Sequence, residues 1–147
     1  MAKELFINQW FTDAMCQAGE RLLTKLDESD AQVVAAFWFL EPEKNWELNI
    51  VSPLVGSEGP RKYYKRINDV YESFSDEESV VSLHDIRVSN INNRVVDALK
   101  HSVLFKANLK NNRLGRNFID GFYIEDMYLY RIEWDMLSKL SNLNQVA

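Results

Sequence analysis

The sequence predicts a single α+β domain, with a mainly antiparallel sheet of about five strands and three main helices. Apolar side chains at helical spacing alternate along the chain with short apolar or alternating runs typical of strands. Most consecutive strand segments are separated by short turns, which favours antiparallel pairing. The length of 147 residues is typical of one domain. The predicted order of elements is α-β-β-α-β-α-β-β, over one domain spanning residues 1–147.

The first three elements are a helix and a β-hairpin. Apolar side chains recur every three or four positions over residues 4–26, which predicts an amphipathic helix. Residues 33–40 are apolar throughout and rich in β-branched and aromatic side chains, so we expect a central strand buried on both faces. The polar segment 41–45 forms a turn to residues 46–50, where alternating apolar and polar side chains predict a half-exposed strand.

A second helix, a third strand and a third helix follow. Residues 52–59 are a connection, and Pro60 suits the first turn of a helix, where its missing N–H costs nothing. Residues 80–88 form the third strand. Asn90 is the expected N-cap of a third helix that ends near Phe105.

The last part of the chain is predicted to hold a basic loop and two strands. Residues 106–117 are polar and basic, which indicates a loop. Residues 118–132 are rich in Ile, Phe and Tyr and predict two strands. The turn between them lies at Asp120-Gly121, the stronger hairpin signal, or at Glu125-Asp126. We favour Glu125-Asp126 because it gives strands of more equal length.

Two tryptophans are candidate anchors for an interface, where aromatic side chains are enriched. Trp46 begins the half-exposed strand. Trp134 opens a stripe with Leu137 and Leu140, which predicts a short final helix before a loose tail over residues 142–147. We expect this stripe to pack on the chain itself, and a partner's groove is the alternative.

The charge of the chain is uneven. The net charge is −5 and the isoelectric point is about 5.1, whereas nucleic-acid-binding domains are more often basic. Residues 1–86 carry a net charge of −8, and residues 87–147 carry +3. Within 87–118 there are seven basic residues and one acid. This asymmetry indicates either an uneven solvated surface or two surfaces that meet different partners.

The chain offers no sign of secretion or membrane insertion. Cys16 is the single cysteine, so no disulfide can form within the chain. The N-terminus lacks the pattern of a signal peptide. The longest apolar run has eight residues, far fewer than the roughly 20 that span a bilayer. We therefore expect a cytoplasmic protein without a membrane partner.

No common catalytic or cofactor motif is present. The five glycines cannot form a dinucleotide or nucleoside-triphosphate phosphate loop, and His and Cys are too few for a common metal cluster. We therefore predict no cofactor and no metal, although carboxylates alone could still hold Mg²⁺. His84 is the best catalytic candidate. It adjoins Asp85, but on a strand the two would point to opposite faces, so only a distant carboxylate such as Glu47 could be its catalytic partner. The favoured alternative is a half-buried strand histidine with an ordinary hydrogen bond.

Two basic clusters are candidate binding sites. Four residues at the start of the second helix form one basic edge that could hold a phosphate or an acidic partner, or could simply pair with nearby acids (Arg61, Lys62, Lys65 and Arg66). Four more lie in the predicted loop (Lys106, Lys110, Arg113 and Arg116). That loop could be a mobile surface loop made soluble by its charges, or it could bind an acidic protein partner. It could also track a phosphate backbone if aromatic side chains face outward beside it, and the candidates are Phe118, Tyr123, Tyr128 and Tyr130.

These observations favour a non-enzymatic protein-interaction module, such as an accessory subunit, adaptor or inhibitor of the immunity type. The first alternative is a nucleic-acid-binding module that uses residues 87–118. The second is a hydrolase or nuclease that uses His84 with carboxylates. Self-association through exposed strand edges is a further alternative.

Overall fold

The computed structural model describes residues 2–100, 110–119 and 121–146 of the protein, with side chains described as far as residue 140. It confirms the α+β class. The described helices are α1 (Asp13–Glu28), α2 (Pro53–Glu58), α3 (Pro60–Tyr71), α4 (Arg94–Lys100) and α5 (Trp134–Val146). The described strands are β1 (Lys3–Glu4), β2 (Ala35–Leu40), β3 (Trp46–Val51), β4 (Ser79–Val80), β5 (Ile86–Ser89), β6 (Lys110–Ile119) and β7 (Phe122–Ile132).

The main sheet has five strands in the order β5-β3-β2-β7-β6. The pairs β3–β2, β2–β7 and β7–β6 are antiparallel, and β3–β5 is parallel. The sheet is therefore mixed but mainly antiparallel, as predicted. A separate parallel pair, β1–β4, lies outside it.

Strand β2 is central and buried on both faces, as its sequence predicts. Trp38 packs into one apolar cluster with α1 and α3, whereas Phe37 packs into a second cluster with α4 and α5. Both side chains are fully buried. The sheet is thus covered by helices on both sides. The hairpin between β2 and β3 has the predicted connection over residues 41–45.

The first helix begins nine residues later than predicted. Its N-cap is Thr12, whose hydroxyl accepts a hydrogen bond from the backbone N–H of Met15. The preceding segment is extended, and its backbone pairs with β4. Ile7 is buried from this segment, whereas Trp10 is 77% exposed. The helical spacing of Ile7 and Trp10 with the apolar residues of α1 was therefore coincidental.

The middle of the chain corrects three further predictions. Residues 53–58 of the predicted connection form α2, capped by the buried Ser52. The predicted strand 80–88 is divided, because a single 3-10 turn at Leu83–Asp85 separates β4 from β5. The cap of α4 is Asn93 rather than Asn90, since its side-chain oxygen accepts from the N–H groups that follow it.

The last part of the chain corrects the prediction of a basic loop over 106–117. Residues 110–117 belong to β6, and residues 106–109 lie outside the described part. Ile119 pairs directly with Phe122, and Gly121 has φ +76°. The hairpin therefore turns between Ile119 and Phe122, and the favoured Glu125-Asp126 turn is wrong, because both residues lie within β7. Helix α5 continues to Val146, through the stretch predicted as a loose tail.

Helix α1 lies very close to the sheet at Gly19. The Tyr130 hydroxyl accepts a hydrogen bond from Trp38 Nε1 at 2.9 Å and donates one to the Cys16 carbonyl at 2.7 Å. A β-carbon added at Gly19 would lie 2.2 Å from that hydroxyl oxygen. Because both hydrogen bonds hold the phenol in place, the site has no room for a larger residue.

We expect Gly19→Ala to destabilise the protein by about 1–3 kcal/mol, the usual cost of overpacking. The sign of the change in the free energy of unfolding distinguishes the two cases, because Gly→Ala at an open helix position stabilises the protein by up to about 1 kcal/mol. Urea unfolding followed by circular dichroism measures the effect. The penalty should shrink in a Tyr130→Phe background, where the clashing oxygen is gone. A stabilising Gly19→Ala change would show that the contact does not limit the helix.

Candidate functional site

The basic residues predicted on the second helix lie on α3. Arg61, Lys62 and Lys65 are exposed. Arg66 is half-buried and makes an ion pair with Glu58, with its terminal nitrogen 3.0 and 3.1 Å from the two carboxylate oxygens. This pair matches the alternative in which the basic edge is balanced by nearby acids. The remaining three side chains form a solvated face.

The second basic cluster lies on the edge strand β6. Lys110, Arg113 and Arg116 are all exposed there, and Lys106 lies outside the described residues. These side chains are therefore held on a strand and not on a loop as the sequence predicted. No acidic residue occurs within β6, so all of its formal charge is positive.

Strand β6 is open to solvent along nearly its whole length. Eight of its ten residues are exposed, and only Ile119 is buried. Its inner edge pairs with β7, and within the described part of the chain no strand pairs with its outer edge. Asn111 and Arg116 have φ values of +53° and +47°, so they interrupt the extended backbone, which continues over residues 112–115 and again over residues 117–119.

Arg113 joins this strand to the aromatic core. Its guanidinium donates two hydrogen bonds to the Asp126 carboxylate, at 2.7 and 3.1 Å, and this contact raises the pKa of Arg113. The same group lies 5.5 Å from the ring centre of Phe11 and 5.7 Å from that of Trp46. Arg113 therefore has contacts within the protein and is less available to an external ligand than Lys110 or Arg116. Lys110 and Arg116 make no ion pair with any described residue.

The tip of the β6–β7 hairpin carries an exposed aromatic pair. Phe118 is 71% exposed, and its ring centre lies 4.9 Å from that of Tyr123. The Tyr123 hydroxyl donates to a Glu125 carboxylate oxygen at 2.8 Å, which raises the pKa of Tyr123. Of the four aromatic candidates, these two face outward. Tyr128 is half-buried and Tyr130 is buried, so neither offers a stacking platform.

The two candidate tryptophan anchors lie inside the protein. Trp46 is fully buried, and its ring N–H donates to the carbonyl of Gln9 at 3.0 Å. Trp134 is 8% exposed and packs with Leu137 in the second apolar cluster. Neither tryptophan is available as a surface anchor. The stripe that begins at Trp134 packs on the chain itself, as expected.

Two exposed aromatic side chains were missed. Phe6 is 86% exposed and Trp10 is 77% exposed, and both precede α1. The helix predicted over residues 4–26 placed Trp10 on a buried stripe, so this misassignment concealed it. Leu5, Phe6 and Ile7 are all apolar, so no alternation of polarity in the sequence marks Phe6 as the exposed side chain.

His84 lies in the 3-10 turn and not on a strand. It is exposed, and its imidazole makes no hydrogen bond or ion pair within the described residues. The carboxylate predicted to meet it, Glu47, instead accepts a hydrogen bond from Arg87. Burial raises the pKa of Asp85, and the nearby His84 lowers it. These contacts form no nucleophile-and-base arrangement around His84.

The described part of the chain holds neither a cluster of metal-ligating side chains nor a membrane-spanning helix. Its His, Cys, Asp and Glu side chains form no group of three or more that could hold a metal ion. Of the helices described for this protein, none is both long and apolar enough to cross a membrane.

The ion pair between Arg113 and Asp126 should contribute modestly to stability. A double-mutant cycle with Arg113→Ala and Asp126→Ala is expected to give a coupling energy of about 0.5–1 kcal/mol, because both side chains are partly exposed. Roughly 1 M salt should reduce it. The pair Lys25–Glu28, at 3.5 Å and more exposed, is the control and should couple more weakly. Equal coupling in the two pairs would contradict the special role of the Arg113 contact.

Comparison with known proteins gives no relative. No protein-family model, no curated protein and no solved structure matches this chain significantly. Its function must therefore be inferred from its own surface, and the basic edge strand β6 with its aromatic tip is the candidate site.

Proposed function

We propose that this chain is a non-enzymatic protein-interaction module that binds an acidic, extended segment of a partner protein along β6. An accessory subunit, an adaptor or an inhibitor would act in this way. The observation that carries the proposal is a ten-residue edge strand whose charges are all positive and whose outer edge is unpaired among the described residues.

An edge strand of this kind supports binding by strand addition. Its outward N–H and C=O groups can pair with an extended segment, which then becomes a further strand of the sheet. In β6 the longest stretch without a positive φ covers the four residues 112–115, and residues 117–119 follow beyond Arg116. Because four residues give few main-chain hydrogen bonds, side chains on both sides must contribute. Lys110 and Arg116 flank this stretch, and Phe118 lies beyond it.

The charges on β6 determine which segment fits. Carboxylates on an added strand would lie near Lys110 and Arg116, which have no acidic partner in the described structure. A second copy of β6 would instead place its own Lys and Arg side chains against these groups. Like charges on neighbouring strands are destabilising. The strand therefore favours an acidic partner over self-pairing.

Nucleic acid is less favoured than an acidic protein segment at this surface. A single strand could use the exposed Phe118 together with Lys110 and Arg116, which lack an acidic partner among the residues that the structure describes. However, Arg113 is engaged by Asp126, and Glu125 lies at the base of the aromatic tip. These carboxylates oppose any anionic ligand, but a nucleic-acid site takes most of its affinity from many phosphate contacts. Lys110 and Arg116, the β6 cations without an acidic partner among the described residues, could neutralise few phosphates.

Charge reversal on β6 tests the proposal. Tagged wild type, Lys110→Glu/Arg116→Glu and the control Arg61→Glu/Lys62→Glu are used to capture partners from nuclease-treated native lysate, read by mass spectrometry. All four positions are exposed, and both double variants change the net charge equally. We expect a stoichiometric protein with the wild type and the control, and at least about tenfold less with the β6 variant. Equal loss in both variants, or no loss, would show that β6 is not the binding surface.

Defined probes separate the two kinds of partner. Each protein is titrated with a twelve-residue peptide that alternates Glu and Val, and with a twelve-residue oligothymidylate. We expect the peptide to bind the wild type and to lose affinity with the β6 variant, and the oligonucleotide to bind weakly or not at all. Oligonucleotide binding that depends on β6 and falls steeply with salt would replace the proposal with the nucleic-acid alternative.

A further inference from the structure

A groove lies on the side of the molecule opposite β6. It has a volume of about 580 Å³, within the range of roughly 300–1,000 Å³ that is common for binding clefts. It is bounded by the N-terminal strand β1, the end of α3, and residues 80–83. Helix α3 and these residues adjoin β5, the strand at the other edge of the main sheet from β6. The groove is therefore a separate surface from the one proposed above.

The floor of the groove is apolar and aromatic. Tyr71 and Phe74 lie edge to face with their ring centres 5.4 Å apart, and Val80, Val81 and Leu83 line the groove beside them. The Tyr71 hydroxyl donates to the Val81 carbonyl at 2.6 Å, which fixes the ring. Burial raises the pKa of Tyr71, so the phenol stays neutral and the floor carries no charge.

The rim of the groove is acidic. Glu4, Glu72 and Asp76 line it and are exposed, and no described lining residue is basic. Helix α3 ends at Tyr71, so its last carbonyl groups add negative potential at the same place. An apolar floor with a rim of one sign fits a ligand that combines aromatic or aliphatic groups with positive charge.

We propose that this groove binds a basic segment of a partner protein in which Arg or Lys flanks an aromatic residue. The aromatic side chain packs on Tyr71 and Phe74, and the cationic groups reach the carboxylates of the rim. Such a segment is opposite in charge to the one proposed for β6. The two proposed surfaces therefore select different partner segments, and binding at one surface does not require binding at the other.

Nuclear magnetic resonance titration of the full chain tests the proposal. The probes are acetyl-Arg-Phe-Arg-amide, the acidic acetyl-Glu-Phe-Glu-amide and acetyl-Arg-Gly-Arg-amide, which lacks the aromatic group. We expect saturable shifts with the first peptide only, centred on the amides of Glu4, Glu72 and Leu83. Absence of saturable binding, or shifts centred elsewhere, would overturn the proposal. Equal binding of the peptide without the aromatic group would overturn the role of the floor.

A matched pair of variants tests the rim. Glu72→Lys places a positive charge in the groove, whereas Glu77→Lys makes the same change at an exposed residue that does not line it. Lysine at position 72 also suits the C-terminus of α3, so we expect this variant to fold. Affinity for the first peptide should fall at least about fivefold with Glu72→Lys and less than about twofold with Glu77→Lys. Equal losses would show that only net charge matters.

Two further measurements exclude other occupants. Phenethylammonium should bind much more weakly than the peptide, and equal affinity would assign the groove to a small organic cation. Sedimentation velocity of the wild type over about a hundredfold range of concentration should show no association that Glu72→Lys removes. Such association would assign the groove to a second copy of the chain and overturn the proposal.

Discussion

The position of α1 on the sheet depends on one buried hydroxyl group. Tyr130 on β7 accepts a hydrogen bond from Trp38 on β2 and donates one to a carbonyl in α1, so it joins a helix to two neighbouring strands. Gly19 permits the close approach that these bonds require.

The segment before α1 crosses the end of β3. There the Asn8 carbonyl accepts a hydrogen bond from the backbone N–H of Trp46, and the Gln9 carbonyl accepts one from its ring N–H. Phe11 then stacks on Tyr128, close to Arg113. Arg113 of β6 therefore contacts the aromatic cluster that also packs against the start of α1.

Burial of β2 on both faces explains how the two candidate surfaces come to be separate. A strand covered on both sides must lie inside the sheet, so the two edge strands lie on either side of it. Strand β6 forms one edge, and β5 forms the other, beside α3 and the acidic groove. Four strand spacings of about 4.8 Å separate these edges, which gives about 19 Å. This distance exceeds the Debye length of about 8 Å at physiological salt, so the charges of one surface have little effect on binding at the other in the proposed contacts.

Sequence patterns predicted the interior of the fold better than its edges. The uniformly apolar β2, the alternating β3 and the helix that begins at Pro60 were each predicted correctly, because burial leaves a clear pattern in such elements. Strand β6 shows no apolar alternation, because most of its residues are exposed on both faces and polar side chains are tolerated at these positions. The candidate residues Lys110, Arg113 and Arg116 were therefore found, but their placement on a strand was not. Groups that meet only in three dimensions, such as Arg113 with Phe11 or Tyr71 with Val81, have no signal in the sequence.

The charge on β6 has two consequences for the same strand. A long edge with free hydrogen-bonding groups is prone to pair with further copies, and positive side chains along such an edge oppose this pairing. The same side chains attract carboxylates, so they favour a partner that brings negative charge. Breaks in the extended backbone at Asn111 and Arg116 shorten the stretch that any strand can use. In the contact proposed for β6, main-chain pairing alone would be weak, and selection of the partner would depend on the flanking cations and the aromatic tip. A short strand with charged flanks is suited to a selective, reversible contact and not to a permanent assembly.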